Sequence, residues 1–157
     1  MNLRDLLRPP LVATQALVHD WEDAIRAVGQ LLVADDAVEP RFVDAMIRVA
    51  HEFGPYIVVA PGIALPHARP EDGVKRASIG MMTLARPVEF GNEENDPVSL
   101  VIALAATDHR QHIQGLAELA AVLGDDEMVA RLRAAGTTDE LLAIMWSQSG
   151  TPRDDAS

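Results

Sequence analysis

The run "VSLVIALAA" at residues 98–106 limits this chain more than any other stretch. A strand with one face open to water alternates apolar and polar positions, and this run does not. It is also far too short to span a bilayer. A strand covered on both faces meets both conditions, and that cover takes helices on each side of a sheet.

Helical patterns supply the cover. "DWEDAIRAVGQLLVAD" (20–35) puts Trp21, Ile25, Val28, Leu31 and Leu32 at helical spacing, with Asp20 as the cap. "PRFVDAMIRVAHEF" (40–53) starts with proline and lines one face with Phe42, Met46, Val49 and Phe53. A third helix is predicted from Asp108 through Leu123, with Ile113, Leu116, Ala117, Ala120 and Leu123 as its core stripe. "DDEMVARLRAA", stopped by Gly136, and "TTDELLAIMW", with Thr137 and Glu140 as a capping box, follow. Further strands are predicted in "GPYIVVAPG" (54–62), "ASIGMMTL" (77–84) and "PVEF" (87–90). Residues 1–14 give only a short helical pattern broken by Pro9 and Pro10. The expectation is an α/β three-layer sandwich, a mixed sheet of about five strands with helices on both faces. It forms one domain over 1–147, with a polar, flexible tail at 148–157.

Charge and composition remove whole classes of function. The chain has 24 Asp and Glu against 13 Lys and Arg, a net charge of −11, and no basic run. Nucleic acid, anionic membrane and direct membrane insertion are therefore not expected, whereas a basic protein surface is a fitting partner. There is no cysteine, which excludes disulfides, thiolate catalysis and thiolate metal sites and fits a reducing cytoplasm. No secretory signal pattern opens the chain.

Of the five histidines, His19 and His51 are read as surface residues, His51 near a helix end that suits an imidazolium. His67 differs, because "PGIALPHARP" (61–70) sets it in a stiff segment. Pro66 restricts Leu65, Pro70 restricts Arg69, and Gly62 permits a sharp turn upstream. In an extended segment His67 and Arg69 share a side, a pairing that suits an incoming anion. His109 and His112 stand three apart at a helix start, with Asp108 and Gln111 placed as a capping box, where negative charge is favoured. Spacing alone also allows a hydrogen-bonded surface patch. Zinc held by His67, His109, His112 and Asp108 is a weaker option without an HExxH pattern, and no G-x-S-x-G elbow supports a serine hydrolase. Arg110 is expected in solvent, and Met81, Met82 and Phe90 in the core.

Three stretches together, "GPYIVVAPGIALPHARPEDGV", "PVEFGNEENDPVSLVIALAATD" and "HIQGLAELAAVL", resemble enzyme IIA of the bacterial phosphoenolpyruvate-dependent sugar phosphotransferase system. The resemblance is to the mannitol/fructose class (type 2) and, within it, to the ascorbate-type branch, over roughly residues 11–146. It implies a phosphotransferase component working through a phosphohistidine, a mixed sheet with helices on both sides, and a cytoplasmic location. His67 matches the phosphoryl acceptor, and His112 matches the helix histidine that steadies the phosphoryl group. The implied donor is the histidine phosphocarrier protein, and the acceptor is a cysteine of enzyme IIB working with the membrane enzyme IIC. A homodimer is an admissible assembly. No cofactor or metal is implied. The mannitol branch carries a helix arginine that here, as Arg48, stands one position out of register, so the cationic role is moved to Arg69. Arg48 and His109 remain further candidates. An alternative keeps His67 but makes the domain a regulator whose phosphorylation state controls a protein target.

Overall fold

The computed structural model describes residues 3–150, without the side chains of 148–150. Five strands form one mixed sheet in the order β1-β4-β5-β3-β2, with β1 Val12–Ala16, β2 Val58–Ala60, β3 Ile63–Ala64, β4 Ser78–Val88 and β5 Val98–Ala105. Helices α2 (Trp21–Ala34) and α3 (Pro40–Phe53) cover one face. The other is covered by α1 (Leu3–Leu6), α4 (His109–Leu123), α5 (Asp126–Ala134) and α6 (Thr138–Gly150). The three-layer sandwich expected from the sequence is the observed architecture.

Strand β5 shows why its sequence had to be apolar throughout. Val101, Ala103 and Ala105 pack into the α2/α3 core, while Leu100, Ile102 and Leu104 pack under α4, α5 and α6. All six are essentially buried. Two of the predicted caps form here: Asp20 Oδ1 accepts from Asp23 N at 2.9 Å, and Thr137 and Glu140 exchange side-chain to backbone bonds at 3.1 Å each.

Several expectations need correction. "ASIGMMTL" and "PVEF" are not two strands; one strand, β4, runs from Ser78 into the second stretch as far as Val88, and its register against β5 shifts between Thr83 and Val88. Pro87 falls within that irregularity, where no ladder bond is required of it. The N-terminal stretch holds a strand that the prolines hid: after a 3-10 turn at Pro9–Leu11, β1 pairs parallel with β4. "GPYIVVAPG" begins as a 3-10 turn over Gly54–Ile57, and only Val58–Ala60 is strand. The buried face of α4 is Gly115, Leu119 and Val122, while Ile113 is 66% exposed. The helix is rotated so that Gly115 meets the sheet, where a Cβ would lie 2.8 Å from Leu104 Cδ1. Phe53 likewise leaves the α3 core face and is 58% exposed. Met81, Met82 and Phe90 are core, as expected. The expected tail falls on α6 as far as Gly150, and residues 151–157 lie outside the described residues.

The close approach at Gly115 brings α4 down onto the strand beside it. Gly115→Val is expected to lower the unfolding free energy by about 1–2 kcal/mol, since overpacking outweighs the gain in helix propensity. Chemical denaturation measures it, and an unchanged midpoint would show that α4 can ride up without cost.

Candidate functional site

The segment leading to His67 is fixed at its head. Gly62 has φ +73°, a conformation open to glycine, and a Cβ there would sit 2.4 Å from Arg133 Nη2. Arg133 Nη2 donates to the Pro61 carbonyl at 2.5 Å, Gly62 N donates to Asn95 O at 2.8 Å, and Gly62 O accepts from Ser99 N at 2.9 Å. Beyond this anchor β3 runs parallel to β5, and a further bridge pairs His67 with Leu104. Alternation sorts the side chains: Ile63 and Leu65 enter the core on the α4 side, and Ala64 and Ala68 the core on the α2/α3 side. His67, in step with Leu65, is delivered to the α4 side.

There its ring is oriented by its own backbone. Nδ1 lies 3.0 Å from the Leu65 carbonyl oxygen. A carbonyl only accepts, so Nδ1 carries the proton and the Nε2 lone pair of the neutral ring is left free. The His112 ring lies 6.1 Å away, centroid to centroid, tilted by 58°. His112 comes from the first turn of α4. Asp108 Oδ1 caps that turn through Gln111 N at 2.8 Å, and Gln111 Oε1 returns to Thr107 N at 3.0 Å and to the Thr107 hydroxyl. First-turn amides of a helix have no intrahelical acceptor, so this end presents donors and a positive dipole end. Burial holds the His112 pKa below its ordinary value, reinforced by His67 and then His109.

Both histidines open onto a cleft of about 470 Å³. His109, Arg48 and Arg69 line it too, so the five sequence candidates share one site. Arg48 and Arg69 come from different walls, α3 and the 3-10 turn at Pro70–Asp72. Other lining residues, Glu52, Phe53 and Asp72 among them, were not sequence candidates. Helical spacing held a signal for two of them, because Arg48 with Glu52 and Val49 with Phe53 are each four apart and face the cleft together. His19 and His51 do not line it. His51 Nε2 instead meets Glu22 Oε2 at 2.5 Å, and its ring stands edge-on to Trp21 at 5.0 Å. Among the described residues no group of three or more His, Asp or Glu side chains is placed to hold a metal ion. The cleft offers a free imidazole nitrogen, a second neutral imidazole, two guanidinium groups and a helix start. That set suits transient binding of a small anion at a nucleophilic nitrogen.

Comparison with known proteins finds relatives over nearly the whole chain. The family model described as phosphoenolpyruvate-dependent sugar phosphotransferase system, EIIA 2, matches residues 5–147. The ascorbate-specific PTS system EIIA component of Shigella boydii serotype 4 is 42% identical over 147 residues, which is 92% of this chain and 96% of that protein. Among solved structures, the mannitol-specific cryptic phosphotransferase enzyme IIA of Escherichia coli superposes with a TM-score of 0.83 at 29% identity, covering 92% of this chain and 98% of that one. Enzyme IIA for mannitol from the same organism, solved in complex with phosphorylated enzyme IIB, gives 0.79 at 29% identity, covering 90% and 99%.

The lowered pKa of His112 has a definite pH consequence. Folding disfavours its protonation, so its contribution to stability is present above the unfolded pKa and is lost as pH falls through the folded one. An NMR titration is expected to place the His112 midpoint below 6.5, the ordinary value. In His67→Gln and in His109→Ala it is expected to move upward. A midpoint at or above 6.5 in the unaltered chain would contradict the geometry.

Proposed function

Because this chain belongs to the EIIA 2 family of the phosphoenolpyruvate-dependent sugar phosphotransferase system and is a phosphotransferase component of it, we propose that His67 is its phosphoryl-carrying residue. The donor is the phosphohistidine of the histidine phosphocarrier protein, and the acceptor is a cysteine of enzyme IIB in the cytoplasm. The solved complex of a mannitol enzyme IIA with phosphorylated enzyme IIB supports this direction of transfer. The sugar, imported through enzyme IIC, is ascorbate or a close relative, a reading supported by the specificity of the Shigella relative.

The observation that carries this reading is the Nδ1 bond of His67 to the Leu65 carbonyl at 3.0 Å, with Nε2 free beside His112. Nε2 attacks phosphorus as the donor's P–N bond breaks, and the bonding pair stays with the donor imidazole. The His67 ring then carries positive charge, which its Nδ1–H shares with the Leu65 carbonyl. In the second step a thiolate of enzyme IIB attacks phosphorus, the P–Nε2 bond breaks, and the pair returns to Nε2. Neither step needs a proton relay, so positioning and charge stabilisation do most of the work. His112 donates an N–H to a phosphoryl oxygen, Arg69 supplies positive charge, and the α4 amides, Arg48 and His109 are further donors. Phe53 on the cleft wall and Ile113 beside His112 give a docking partner exposed apolar anchors around the reacting ring.

Incubation with phosphorylated carrier protein, followed by mass spectrometry, tests the assignment. His67→Ala is expected to accept no phosphoryl group. His112→Ala should still accept it but pass it on about 10²-fold more slowly, the loss usual for one oxyanion donor. Label retained by His67→Ala would disprove the assignment. Transfer from His67 to enzyme IIB proteins separates sugar import from control of a protein target.

A further inference from the structure

We propose that Arg69 is a mobile cation shared between Glu71 and the phosphoryl group on His67, and that Glu71 thereby sets how firmly the carrier holds that group. This rests on His67 being the phosphoryl acceptor. The backbone of Arg69 is clamped on both sides. Its N–H donates to Asp72 Oδ2 at 2.9 Å, and its carbonyl accepts from Asp72 N at 2.9 Å. The turn that follows is tied to the start of α3, because Arg41 Nη1 donates to Glu71 O at 3.1 Å and Glu39 N to Gly73 O at 2.8 Å.

The side chain contrasts with this rigid base. Arg69 is 73% exposed, and its ion pair with Glu71 is long, 4.0 Å from Nε to Oε2. Exposed pairs of this kind are weak and easily exchanged. Arg69 lines the cleft with His67, whereas Glu71 does not. Strand alternation places Arg69 on the side of His67, with Ala68 between them turned into the opposite core. A fixed pivot two residues from the acceptor can therefore turn its guanidinium inward to a phosphoryl dianion. That dianion offers stronger, paired hydrogen bonds. When the phosphoryl group leaves, Glu71 takes the guanidinium back. Glu71 thus competes with the phosphoryl group, and its removal favours the charged carrier.

The equilibrium between phosphorylated phosphocarrier protein and this chain reads that competition, with labelled His67 quantified by mass spectrometry. Glu71→Gln is expected to shift the equilibrium toward phosphorylated His67 by about two- to fivefold at low ionic strength, the range of an exposed ion pair. The shift should collapse near 1 M salt, where the Debye length is about 3 Å. Arg69→Ala should shift it the other way, and Arg69→Ala/Glu71→Gln should match Arg69→Ala alone. An unaltered equilibrium in Glu71→Gln, or the same shift in the Arg69→Ala background, overturns the proposal while leaving His67 as acceptor. Absence of label on His67 in the unaltered chain overturns both.

Discussion

The hydrogen bond from His67 to the carbonyl two residues before it decides which nitrogen of that ring is left free. It protonates one nitrogen and frees the other, without any side chain being spent on orientation. Such a short reach back needs an extended backbone with Pro66 between the partners, and a proline has little freedom to lose. The segment is held besides by the bridge to Leu104, the β3 pairing with β5 and the Gly62 anchor. Fixing a residue's backbone costs about 1–2 kcal/mol. Here that cost is met during folding, so a docking partner finds the imidazole already in place.

The second imidazole arrives by the same sheet. Strands β3 and β5 are parallel neighbours, so both lead toward one end of the sheet. His67 follows β3, and β5 leads through Asp108 into α4 and its first-turn His112. Ligands of open α/β sheets gather in the crevice beyond the carboxyl ends of such strands, because loops and helix starts converge there. Gly115 lets α4 lie close over Leu104, the residue that bridges to His67. One sheet register and one missing side chain together bring the two rings to 6.1 Å.

Much of this could be read in the residues, and the failures have physical causes. The doubly buried strand, the caps at Asp20, Asp108 and Thr137, and the stiff segment around His67 all rest on local chemistry, which a sequence records. The first strand did not announce itself, since "VATQA" has little apolar pattern and is a strand through its pairing with β4. The rotation of α4 depended on Gly115, whose missing Cβ matters only against Leu104, a residue distant in the chain until the fold forms. The cleft-lining side of α3 was misread because Phe53 and Val49 are apolar, and apolar residues at helical spacing look like core. Glu52 and Asp72 were overlooked because a carboxylate in an anion site runs against simple charge matching.

Under the proposed function, those two carboxylates suit a site that gives its cargo away. A pocket built to retain an anion would surround it with fixed, paired cations. This cleft sets Arg48 and Arg69 against Glu52 and Asp72, and keeps His112 from gaining charge through burial. The chain as a whole carries a net charge of −11, which adds long-range repulsion to any dianion. Firm binding in a carrier would lower the energy of the loaded state without helping the next transfer, just as uniform binding fails to speed an enzyme. Stabilisation that comes from neutral donors and a movable arginine can rise in the transition state and fall away afterwards. On the proposed reading, the rigid parts of the site orient the His67 ring, and Arg69 is the charged group left free to move.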